Sequence, residues 1–135
     1  MPNVNIFTYG SLMFPAVWSR LVRGAYDSVA ARLDGYQRYV VLEQDYPGLI
    51  AQAGVSVIGR IYLAVDADDL RRLDVFEGDS YRRKNVHPVL ANGTTLEAQS
   101  YLWVGERGLS ALPWQPHGFD LEAFLVARVR PVADS

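Results

Sequence analysis

Apolar positions in this chain fall mostly in short runs closed by glycine or proline, with helix-spaced stripes between them. The first run, Val4, Ile6 and Phe7, reads as a buried strand ending in a turn at Tyr9-Gly10-Ser11-Leu12. Pro15 suits a first helical position, where a missing N–H costs nothing, and Ala16 to Val22 is expected as a short helix stopped at Gly24. Val29, Ala31 and Leu33 alternate with polar neighbours, as a half-buried strand requires. Asp34-Gly35 then offers a hairpin turn, with Tyr36 to Leu42 expected to return as its partner. Asp45-Tyr46-Pro47-Gly48 is a further turn signal, and Leu49 to Ala51 reads as a brief strand before a turn near Gly54.

Val55 to Val65 is the clearest strand, apolar on both faces, with Gly59 in its middle predicting a bulge or sharp bend. Asp66 is placed to cap a helix, with Asp69 in its first turn near the positive end of the dipole. Leu70, Leu73, Phe76 and Glu77 share one side of that helix, and Gly78 ends it. Tyr81 to Leu90 and Thr94 to Val104 are expected to pair antiparallel through Asn92-Gly93. Gly105 to Gly118 is loop-rich, and Asp120 caps a last amphipathic helix with Leu121, Phe124, Leu125 and Arg128 as its stripe. Many short strands with helices between them predict one α+β domain over residues 1–135, built on a curled, mixed or antiparallel sheet.

Composition narrows the function classes. The chain has 135 residues, half of them hydrophobic, so one domain with a real core is expected. A formal charge of −2 gives no basic face for nucleic acid or an anionic membrane. There is no cysteine, which excludes thiol catalysis and disulfides, and two histidines leave little for a metal. No phosphate loop or dinucleotide fingerprint calls for a cofactor. The N-terminus lacks the basic and uninterrupted apolar regions of a signal peptide, and no apolar run approaches spanning length. The expectation is a soluble, cytoplasmic protein without cofactor or metal.

Two stretches stand out chemically. A strand, a glycine turn and a helix start bring several backbone N–H groups to one place, which suits a carboxylate or an oxyanion. The same stretch can also be a tight turn holding a core strand. Glu77 lies on an otherwise apolar helical stripe. It either snorkels at the helix end near Arg82 and Arg83, or sits desolvated where a raised pKa suits a general base and acid. Asp74 points to another face, so a carboxylate pair is not expected. Tyr62, Tyr81 and Tyr101 are core or interface rings that can also line a pocket. Ser11 lacks a nucleophile elbow or a spaced triad, and His87 and His117 show no ligand spacing. Tyr46, Trp103 and Trp114 can either form an aromatic wall or simply pack.

Taken in order, the Tyr-Gly-Ser-Leu turn and residues 59–83, GRIYLAVDADDLRRLDVFEGDSYRR, resemble the γ-glutamylcyclotransferase-like (AIG2-like) family. Glutathione-degrading ChaC-type enzymes share the turn, but the second motif looks like the AIG2-like branch. The resemblance covers most of the chain, including Tyr46-Pro47-Gly48 and the strand with Tyr101. It implies a small mixed β-barrel with flanking helices. It also implies a small-molecule γ-glutamyl substrate, whose α-amine attacks its own γ-carbonyl to release 5-oxoproline and a free amine. By the same resemblance Glu77 is the catalytic base, and Tyr9, Gly10, Ser11, Leu12 and Tyr81 bind substrate. The alternative is a non-catalytic small-ligand-binding or regulatory module on the same fold. A third possibility is an enzyme that removes a γ-glutamyl protecting group from a pathway intermediate.

Overall fold

The computed structural model describes residues 3–118 and 120–128. Its centre is β1 (Val4–Thr8), flanked by β3 (Pro47–Val65), antiparallel, and β6 (Ala98–Trp103), parallel. Both faces of β1 are covered, which is why the adjacent residues Ile6 and Phe7 are both apolar. Ile6 packs with Leu12, Val17, Trp18, Tyr62 and Leu73, beneath α1 (Pro15–Leu21), α2 (Ala67–Glu77) and α3 (Leu121–Arg128). Phe7, one residue on, points to the opposite core with Leu33, Leu49, Val57 and Ile61.

The full strand order is β4-β6-β1-β3-β2-β5, where β2 is Ser28–Val41, β4 Tyr81–Val86 and β5 Val89–Leu90. A seventh strand, β7 (Leu109–Pro113), pairs with the outer half of β2 inside the segment expected to be loop. The first half of β3 also meets β6, through Leu49 opposite Leu102, so the sheet curls back on itself. β4 and β5 remain as its edges, so the expected barrel is an incompletely closed mixed sheet. Among the described residues, no helix is long and apolar enough to cross a membrane.

The predicted hairpin at Asp34-Gly35 does not form. β2 runs through it, and Gly35, at φ +82, instead serves a register shift opposite Gly54, at φ +85. A positive φ permits a bulge as readily as a hairpin turn, and the continuous β2–β3 ladder selects the bulge. The chain reverses at residues 42–46, where Glu43 takes φ +65 and the Val41 N–H reaches the Tyr46 carbonyl at 3.0 Å. Pro47 and Gly48, expected in a turn, open β3, and the brief strand from Leu49 belongs to it as well.

Gly59 has no bulge; it stays in register with Ala31. Its role is close approach, because a Cβ there would lie 2.1 Å from the Thr8 carbonyl oxygen and 2.7 Å from the Phe7 ring. The α2 boundaries follow their caps. The Asp66 carboxylate accepts the Asp69 N–H at 2.8 Å, and Gly78, at φ +77, ends the helix. β4 and β6 pair antiparallel as expected, but the strand expected over Tyr81 to Leu90 breaks at His87-Pro88, after which β5 pairs with β2. β6 starts at Ala98 rather than Thr94, with Gly93, at φ +87, in the turn between β5 and β6. Asp120 caps α3, accepting the Ala123 N–H at 3.0 Å. The Arg128 side chain of the expected stripe lies outside the described residues.

Candidate active site

The end of β1 is pinned from several sides before it turns. The Tyr9 hydroxyl donates to the Tyr101 carbonyl at 2.5 Å, and the Ser100 hydroxyl donates to the Phe7 carbonyl at 2.8 Å. Arg38 donates to the Tyr9 carbonyl at 2.6 Å. Beyond Tyr9 the chain enters a single 3-10 turn, Ser11–Met13, with Gly10 as its cap. The first donor inside that turn is the Met13 N–H, to the Gly10 carbonyl at 3.0 Å. The N–H groups of Gly10, Ser11 and Leu12 precede it, and none donates to a hydrogen bond within the turn. Gly10 is also crowded, since a Cβ would sit 2.9 Å from Pro47 Cγ. A side chain there would push the Pro47 wall away.

This turn forms one side of a cleft enclosing about 450 Å³, its mouth included. Tyr9, Gly10, Ser11 and Leu12 line it together with Glu77 and Tyr81, so all six sequence-predicted site residues meet there. Glu77 is the last residue of α2 and is half-buried, with the ring of its neighbour Phe76 also in the wall. Arg83 is engaged elsewhere. Its Nε donates to Asp74 at 2.8 Å, and its Nη1 donates to Gln99. Asp74 accepts the Tyr101 hydroxyl at 2.6 Å as well and is not part of the cleft wall.

Two of the cleft tyrosines, Tyr9 and Tyr101, hold their protons. Burial raises the Tyr9 phenol well above its ordinary value, and the nearby Tyr81 and Glu77 raise it further. Burial likewise raises Tyr101, reinforced by its hydrogen bond to Asp74 and by the charge of Glu77. Both phenols therefore act as donors, and Glu77 is the carboxylate among the described lining residues. Tyr81 crosses the cleft to donate its hydroxyl to the Pro47 carbonyl at 2.7 Å. It braces the wall that also carries Tyr46.

Tyr46 lines the cleft, whereas Trp103 and Trp114 pack elsewhere. Trp103 meets Tyr81 edge-on with centroids 5.2 Å apart, and Trp114 lies beneath Arg38, its Nε1 donating to the Asp45 carbonyl at 3.0 Å. Sequence reasoning did not place Phe7, Thr8, Pro47, Phe76 or Phe124 at the site. Helical periodicity alone assigns Phe76 and Phe124 to the core. Both do pack there, in an edge-to-face pair at 6.2 Å, while also closing one end of the cleft. The arrangement offers backbone donors for an anion, one carboxylate able to carry a proton, and aromatic walls.

The chain matches known proteins in sequence and in fold. Residues 6–118 match the model of the family described as gamma-glutamyl cyclotransferase, AIG2-like. Protein AIG2 C of Arabidopsis thaliana is 33% identical over 103 residues, covering 76% of this chain and 62% of the plant protein. The chain spans about three-fifths of the length of the first Arabidopsis relatives it matches. A solution structure from Arabidopsis thaliana superposes with a TM-score of 0.71 at 29% identity, over 92% of this chain and 73% of that one. An AIG2-like protein from Mus musculus superposes with a TM-score of 0.69 over 97% of each chain. Its 22% identity supports likeness of fold alone.

Proposed function

The chain belongs to the gamma-glutamyl cyclotransferase, AIG2-like family, and from that membership we propose that it converts a γ-glutamyl amide into 5-oxoproline and a free amine. The single observation that carries the reading is that Glu77 and the Gly10–Leu12 turn line the same cleft. The substrate's α-carboxylate binds at the turn's N–H groups, where backbone donors and a helix start suit an anion. Glu77 removes a proton from the α-ammonium. The freed amine attacks the γ-carbonyl carbon, forming the ring C–N bond and a tetrahedral oxyanion. Collapse breaks the original amide C–N bond as the proton held by Glu77 goes to the departing amine. The ring nitrogen gives its second proton to the regenerated carboxylate, which passes it to the amine, released as an ammonium. No atom is gained or lost overall.

Such a reaction asks little of the enzyme beyond placement. Nucleophile and electrophile sit in one molecule, so a folded substrate pose supplies the proximity advantage that other enzymes build from two partners. Donors pre-aimed at the developing charge supply the rest. The test is 5-oxoproline release measured across a panel of γ-glutamyl amides, amino acids and peptides. Glu77→Gln should bind 5-oxoproline like the wild type while turnover falls about 10²–10⁴-fold, the range lost with a general acid–base group. Near-normal turnover in that variant refutes the assignment of Glu77. No release from any member of the panel favours a binding module on the same fold.

A further inference from the structure

Directly behind the glycine turn lies a buried cation. Arg38, in β2, is 7% exposed and does not line the cleft. Its Nη1 donates to the carbonyls of Tyr9 at 2.6 Å and Ile58 at 3.0 Å and contacts Met13 Sδ at 3.6 Å. Its Nε donates to the Trp114 carbonyl at 3.1 Å, and the guanidinium lies 5.3 Å from the Trp114 ring centre. Every one of these partners is uncharged. None of the ion pairs formed among the described residues includes Arg38. Burial lowers its pKa to about 10, which still leaves it protonated at neutral pH. A buried charge without a counter-ion is costly, and folds keep one where something else compensates.

The compensation lies across one peptide plane. A trans peptide sends its C=O and N–H to opposite sides, and the described chain has no cis bonds. Arg38, which is not in the cleft wall, holds the Tyr9 carbonyl on its own side, so the Gly10 N–H leaves on the opposite side, toward the cleft that Gly10 lines. A cation on the carbonyl also polarises the peptide and strengthens its N–H as a donor. We propose that Arg38 is the positioning residue and built-in counter-charge of the turn, selecting a carboxylate over a neutral group bound at the Gly10–Leu12 N–H groups. This rests on the reading of that turn as the site of the substrate's α-carboxylate.

The probes are 5-oxoproline and its neutral carboxamide, whose affinities are measured on the wild type, Arg38→Gln and Arg38→Lys. The wild type should bind the acid at least tenfold tighter than the amide. Arg38→Gln should weaken the acid at least tenfold while changing the amide by less than twofold. A loss of packing alone would weaken both equally. Arg38→Lys keeps the charge but not the planar fork, so the acid should weaken three- to tenfold relative to the amide. It alone decides the matter if the glutamine variant does not fold. An unchanged acid-to-amide ratio in a folded variant overturns the proposal, as does a wild type that does not prefer the acid. A wild type with the preference but no 5-oxoproline release refutes the catalytic reading and leaves the role of Arg38 standing.

Discussion

Glu77 is carried by α2, and α2 is moored at its other end by Asp69, so the site depends on a carboxylate well outside it. Asp69 is 1% exposed, and four donors converge on its two oxygens. Oδ1 accepts the Arg23 N–H at 2.9 Å and Arg72 Nη1 at 2.5 Å, while Oδ2 accepts the Gly24 N–H at 2.9 Å and the Tyr26 hydroxyl at 2.6 Å. The end of α1 and the following loop are thereby tied to the first turn of α2. Burial opposes the charge on Asp69, but the bonds from Tyr26, Arg23, Gly24 and Arg72 outweigh it and bring its pKa from 3.8 to about 2. At about 1.36 kcal/mol per pH unit this difference is worth about 2.5 kcal/mol.

Substituting Asp69→Asn gives an independent figure. Asparagine keeps one acceptor oxygen and turns an NH₂ toward two donors. Two charge-assisted bonds of about 1.5–3 kcal/mol each are lost, partly offset by removing a buried charge, for a net cost of about 3 kcal/mol. For a domain of this size the melting temperature should fall by about 10 °C. The pH dependence supplies the sharper test. A depressed pKa stabilises the fold above the unfolded value near 4, and that contribution is lost as pH falls through about 2. The stability gap between wild type and Asp69→Asn, from urea unfolding, should therefore narrow between about pH 5 and pH 2. Parallel profiles over that range, or a melting temperature lowered by less than about 3 °C, would refute the reasoning.

Gly59→Ala should be the most damaging small substitution in the sheet, because its Cβ meets backbone, the Thr8 carbonyl oxygen, at 2.1 Å. Overpacking that a side-chain rotation cannot relieve should cost about 3 kcal/mol or more, read as a lowered urea midpoint or loss of folded protein. Tyr81→Phe removes the 2.7 Å bond to the Pro47 carbonyl while leaving the ring in place. Stability should fall by only about 1 kcal/mol, whereas kcat/KM should fall about tenfold as the Tyr46–Pro47 wall loosens. An unchanged kcat/KM would show that this brace does not matter to the site.

How much of this was legible in the sequence depends on what each feature needs to declare itself. The six candidate residues carry their own signals: a glycine turn after an apolar strand, and a carboxylate on an apolar stripe. All six meet in one cleft. Arg38 carries none. Ala31 and Leu33 face the core, and strict alternation would turn position 38 outward, but the register shift after Asp34 exchanges the faces. Only strand pairing reveals that shift, so nothing in the sequence marks this arginine as inward. The Asp34-Gly35 signal failed for the same reason, since local dihedral preference cannot tell a bulge from a reversal. Asp69 was legible as a first-turn acid, but not as the acceptor of a loop from another helix, because its partners are distant in sequence. Gly59 advertised a need for glycine without saying whether a bend or a neighbouring strand imposed it.

The polar groups around the cleft mostly hold the backbone in place. Tyr9 donates to the Tyr101 carbonyl, Tyr81 to the Pro47 carbonyl and Arg38 to the Tyr9 carbonyl, while the Tyr101 hydroxyl is given to Asp74. Each bond fixes one element against another: the end of β1 to β2 and β6, β6 to α2, and β4 to the start of β3, all around one cleft. An enzyme that had to supply a nucleophile would need those side chains for the reaction itself. A reaction whose nucleophile and electrophile arrive in one molecule needs a rigid mould, an anion cradle and one group to carry a proton. Phenols kept protonated by burial cannot compete with a carboxylate as the base, which leaves that role in the proposed chemistry to Glu77. On this account, substitutions that loosen the mould should act chiefly on kcat/KM through misplacement of the substrate. Only Glu77 should stop the chemistry while leaving the product's binding intact.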